Sequence, residues 1–70
     1  MKIEVMNVNF GAKQLEHITS SGMKTVRMKG RGIEALSPIL AYIEDYAEQN
    51  GFQVLNGAVA GSNVQIFLIK

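Results

Sequence analysis

Seventy residues with seven basic and six acidic side chains, a net charge of +1, no cysteine and one histidine describe a single small domain spanning residues 1–70. The missing cysteines exclude a disulfide framework and a thiolate metal centre, and one histidine makes no ligand set, so no metal and no other cofactor is expected. Hydrophobic residues form 47% of the chain, generous for a length at which only ~60% of the unfolded surface is buried, and a second copy is the simplest cover for the surplus.

Residues 2–8 read as a strand. Ile3 and Val5 share one face, and Met6 and Val8 carry the apolar signal on the other, as in a strand buried on both sides or bulged near Val5-Met6. Gly11 breaks that pattern. Ala12 to Ser20 then reads as a short helix with Leu15 and Ile18 facing inward, ended by Ser21-Gly22. Met23 to Lys29 alternates as a second strand, with Val26 and Met28 on its packed face and Thr25, Arg27 and Lys29 on a wetter, cationic one.

Gly30 and Gly32 permit a sharp corner before the best helix of the chain. Ser37-Pro38 is a strong start for that helix, with serine as N-cap and proline at the first helical position, and Asn50-Gly51 stops it after Gln49. Leu36, Leu40, Ile43 and Ala47 form one apolar stripe and Ile39, Tyr42 and Tyr46 a second beside it, while Glu44, Asp45 and Glu48 occupy the remaining face. So wide an arc exceeds what one side of a small sheet covers, which points to a homodimer with Ile39, Tyr42, Tyr46 and Phe67 at its interface. Phe52 to Ala60 and Val64 to Ile69 form a hairpin across Gly61-Ser62-Asn63. The expected fold is therefore α+β, a β-α-β-α-β-β chain with a mixed four-stranded sheet and both helices on one face.

Charge is segregated along the chain. Lys13, Lys24, Arg27, Lys29 and Arg31 fall between positions 13 and 31, whereas positions 32–69 hold four acidic residues and no basic one. In Lys29-Gly30-Arg31-Gly32 the glycines let backbone approach a phosphate, and the lysine and arginine supply charge and a fork of donors. His17, beside Glu16, has no recognisable nucleophile or second base and reads as a surface histidine, so no catalytic residue and no enzymatic activity is expected. No apolar stretch approaches the ~20 residues that cross a bilayer, and the N-terminus has no continuous apolar block. The expected location is the cytoplasm, without membrane contact.

The order of elements, with Phe10-Gly11-Ala12-Lys13 opening the first helix and Val26-Arg27-Met28-Lys29-Gly30-Arg31-Gly32 closing the second strand, resembles the Alba family of small dimeric nucleic-acid-binding proteins. The resemblance covers most of the chain, with a shorter first helix and without the family's basic hairpin arm, since Gly57 to Asn63 carries no charge. It implies an Alba-like homodimer that holds DNA or RNA by its backbone, largely without sequence preference. Lys13 and Arg31 match family residues that meet nucleic acid, and Lys29 precedes that arginine on the strand. Lys29 and Arg31 are expected to grip phosphates at the Gly30 and Gly32 corner, while Lys13, Lys24 and Arg27 widen the footprint. The competing reading is a protein-interaction module, a regulator or inhibitor from a mobile element, using its acidic helix face or hairpin on a protein partner.

Overall fold

A computed structural model describes residues 1–70 as β1 (Ile3–Asn9), β2 (Gln14–Thr19), β3 (Gly22–Arg27), α1 (Ile33–Asn50), β4 (Gln53–Ala60) and β5 (Asn63–Ile69). The strands form one five-stranded sheet in the order β3-β2-β1-β5-β4, and every neighbouring pair is antiparallel. The α+β class holds, but the expected four-stranded mixed sheet with two helices, and with it the Alba-like fold, is corrected to five antiparallel strands and one helix.

The difference begins at residues 10–13. A parallel crossover needs about a dozen residues, whereas these four close a hairpin that pairs Asn9 with Gln14. Asn9 Oδ1 accepts the Ala12 N–H at 3.0 Å, and Lys13 adopts φ 54°. The segment expected to be the first helix is thus β2. Its two supposed inward residues part company: Leu15 is fully buried against the core, and Ile18 lies on the far side of the sheet.

The long helix starts four residues before the expected Ser37, at Ile33, and Pro38 lies inside it. Proline there deletes only the bond to the exposed Glu34 carbonyl, which water can satisfy. The C-terminal stop falls where expected, with Gly51 at φ 72° and the Phe52 N–H donating to the Ala47 carbonyl at 2.8 Å.

The helix buries Ala35, Ile39, Ile43 and Ala47 over one face of the sheet. Beneath them lie Met6, Val8, Leu15 and Leu68, with Phe52 closing one end. Strand register assigns the opposite face, which no element covers. Two adjacent transverse rows are apolar, Ile3 with Ile69, then Met23, Ile18, Val5 and Phe67. The next two are polar, first Thr25, Glu16, Asn7 and Gln65, then Arg27, Gln14, Asn9 and Asn63.

This arrangement separates the four residues expected at a dimer interface. Ile39 is 3% exposed in the core, Tyr42 and Tyr46 are half-buried on the helix side, and Phe67 is on the open face. No single surface presents all four.

Candidate nucleic-acid interface

Three chain segments meet at one end of the sheet. The β1–β2 turn brings Phe10 and Lys13, the β4–β5 turn abuts it through Phe10 N–H to the Ser62 carbonyl at 3.2 Å, and the exit from β3 is fastened by Met28 N–H to the Lys13 carbonyl at 3.0 Å. These bonds hold Lys13 beside the glycine corner, although the two are far apart in sequence. A cavity of about 330 Å³ opens between them, with Lys13, Gly30, Arg31 and Gly32 in its wall and Phe10, Met28 and Leu36 among its apolar lining.

The corner depends on its glycines. Gly30 has φ 93°, and Gly32 has φ 57° with ψ −132°, backbone that side-chain-bearing residues rarely adopt. Gly32 is also the N-cap of α1, and no side chain caps it. The first backbone N–H groups of the helix are therefore free of side-chain partners, and the positive end of the helix dipole points toward the same corner. Glu34, in the first turn, offsets part of that charge.

The other expected residues distribute unevenly. Lys29 and Arg31 are exposed on the loop between β3 and α1. Arg27 ends β3 opposite Gln14 at the same end of the sheet, but on the open face. Lys24 pairs in register with His17 on the helix side, away from this corner, where it borders a second cavity with Tyr42, Asp45 and Gln49. The structure thus brings together Lys13, Gly30, Arg31 and Gly32, keeps Arg27 and Lys29 nearby, and separates Lys24.

Sequence reasoning missed two features. Phe10, 40% exposed at the cavity, is legible in the sequence only as the residue that opens the expected first helix, with no binding role. His17 is not a surface histidine but 5% exposed within β2. Its Nε2–H donates to Glu4 Oε1 at 2.7 Å, and the Tyr46 hydroxyl donates to the same oxygen at 2.6 Å. Lys2 Nζ stands 3.8 Å from Oε2. Burial by itself would push the Glu4 carboxyl up, but the bonds from Tyr46 and His17, with the charges of His17 and Lys2, hold it below its ordinary value. The bond to Glu4, followed by burial, pushes the Tyr46 hydroxyl up to about 12. The cluster ties β1, β2 and α1 together through one carboxylate oxygen.

On the open face, Glu16 accepts from Gln14 Nε2 at 2.6 Å and from Asn7 Nδ2 at 2.7 Å. The Gln14 bond, then that of Asn7, lowers its carboxyl against the cost of desolvation, with Asn9 adding to the effect. Asn7 Oδ1 is buried without a hydrogen-bond partner.

No helix is long and apolar enough to cross a membrane. No family model matches the chain, and no curated protein or solved structure matches it significantly.

Proposed function

We propose that the chain binds nucleic acid, DNA or RNA, at the corner built by Phe10, Lys13, Lys29 and the Gly30-Arg31-Gly32 loop. The observation that carries this reading is the convergence of Lys13 and Arg31 on one cavity with an apolar lining and a glycine-shaped wall. Lysine and arginine neutralise phosphates, glycine lets the backbone come close, and Phe10 offers a face on which an unpaired base can stack. Arg27 and Lys29 extend the cationic end. Contacts of this kind read charge and stacking rather than base edges, so binding is largely independent of sequence and favours single strands or loops over closed duplex. No catalytic step is part of the proposal.

The test is fluorescence anisotropy with single-stranded and duplex DNA and RNA across a salt series. Each phosphate neutralised contributes ~0.7–0.9 to the log–log salt slope. Salt-sensitive binding that is lost in Arg31→Glu, with unchanged thermal stability, supports the site. Undiminished binding in Arg31→Glu refutes the site, and no binding at low salt refutes the function. The latter result selects the protein-interaction reading, for which the exposed Glu44, Asp45 and Glu48 on α1 are the available charged surface.

A further inference from the structure

The two edges of the sheet are protected differently. Strand β3 carries Lys24 and Arg27, the charged guards that discourage strand addition. Strand β4, at the other edge, has eight residues, Gln53-Val54-Leu55-Asn56-Gly57-Ala58-Val59-Ala60, with no charge and no proline, and every one is exposed. Its only irregularity is a bulge between Val54 and Asn56, which leaves Asn56 to Ala60 as a regular stretch.

The helix does little to cover this edge. Register with Leu68 and Val64 places Val54 and Val59 on the helix side of the sheet, yet they are 60% and 77% exposed. Leu40, 51% exposed, lies on the flank of α1 opposite Tyr42, the flank turned away from His17 and β2. These side chains leave apolar surface uncovered on the helix side of the edge strand. The whole chain exposes 4787 Å², against roughly 4,300 Å² for a compact monomer of its 7.7 kDa mass. The surplus is of the kind that a partner removes.

We infer that β4 pairs antiparallel with β4 of a second copy about a two-fold axis, joining two sheets into one of ten strands. A two-fold through Ala58 sets Val59 opposite the partner copy's glycine 57 and Asn56 opposite alanine 60, so each larger side chain meets a small one. No like charges meet, because the strand has none. The outward N–H and C=O groups of β4 gain partners, and Val54, Val59 and Leu40 of both copies share the helix side of the joined sheet. Such an interface is isologous and closed, whereas β4 on β3 of another copy would propagate into an open filament. This inference is independent of the nucleic-acid reading. The two basic corners face opposite ends of the joined sheet.

The chain lacks cysteine, so one introduced thiol reports its own symmetry mate without ambiguity. Directly opposed Cα atoms in an antiparallel pair lie ~4.5–5.5 Å apart, inside the range a disulfide spans. Under mild oxidation Ala58→Cys is expected to cross-link to a dimer on a non-reducing gel, and Thr25→Cys on β3 to remain monomeric. Sedimentation is expected to show a wild-type dimer that is lost in Val59→Lys with its far-ultraviolet circular dichroism unchanged. A wild-type monomer throughout the concentration series, a filament, equal cross-linking of the two cysteine variants, or a Val59→Lys dimer would each overturn the inference. Should Val59→Lys fail to fold, the cysteine pair decides the question on its own.

Discussion

Tyr46 and Glu4 lie 2.6 Å apart, hydroxyl to carboxylate, and this contact joins the second half of the helix to the first strand of the sheet. His17 donates to the same oxygen from β2, so three elements converge on one buried carboxylate. A hydrogen bond to a charged group contributes about 1.5–3 kcal/mol net, and removing the acceptor strands two donors at once. Tyr46→Phe is expected to destabilise by about 1.5–3 kcal/mol and Glu4→Ala by about 3–5 kcal/mol. Urea unfolding of the single and double variants checks this, with a coupling energy of about 0.5–3 kcal/mol expected from the cycle. Simple additivity would show that the bond carries no stability.

The same carboxylate sets an acid limb. Because the folded state holds the Glu4 carboxyl below its ordinary 4.5, the unfolded chain binds more protons in that window. The stabilisation is complete above the ordinary value and is lost as pH falls through the lowered one. Glu16 acts in the same direction through the amides of Gln14, Asn7 and Asn9. Thermal midpoints followed from neutral pH into acid should therefore fall more steeply in the wild type than in Glu4→Gln, with the remaining slope reduced further by Glu16→Gln. Parallel curves in all three proteins would remove both carboxylates from the account.

Tyr46 gives the opposite sign at the alkaline end. Its folded value of about 12 exceeds the ordinary 10.0, so folding favours the protonated phenol. That contribution is complete below pH 10.0 and disappears as pH rises toward about 12. Ultraviolet titration should resolve one tyrosine ionising about two units above the ordinary value, and Tyr46→Phe should delete that step. Retention of the late step in Tyr46→Phe would separate it from the contact with Glu4.

The parts of this fold legible in the sequence are those set by neighbours along the chain. Alternation in Ile3-Glu4-Val5-Met6 marks β1, the Gly61-Ser62 turn marks the last hairpin, and Asn50-Gly51 marks the end of α1. Strand β2 stayed hidden because one of its two inward residues is polar. Leu15 and His17 alternate inward, but a histidine breaks the apolar signal, and its partner Glu4 is thirteen positions away. Leu15 and Ile18 then mimic helical spacing. Ser37-Pro38 likewise outweighed the glycines that turn the chain into the helix at Ile33. The basic corner was legible as composition, from Lys29-Gly30-Arg31-Gly32, whereas its apposition to Phe10 and Lys13 follows from the β1–β2 hairpin and could not be read without it.

Two glycines separate backbone demand from simple space. An added Cβ at Gly32 meets nothing within 4 Å, so the obstacle there is its φ of 57° alone. Gly57, in β4, has no left-handed backbone, and its added Cβ would make only an ordinary 3.6 Å contact with the Gln65 carbonyl. Gly32→Ala is therefore expected to destabilise by about 1–3 kcal/mol and to weaken nucleic-acid binding by reshaping the corner. Gly57→Ala should be neutral or stabilising by up to about 1 kcal/mol, because it restricts the unfolded chain without strain in the folded one. Chemical denaturation of both variants makes the comparison. Equal losses at the two sites would mean that the left-handed conformation at Gly32 is not what fixes the corner.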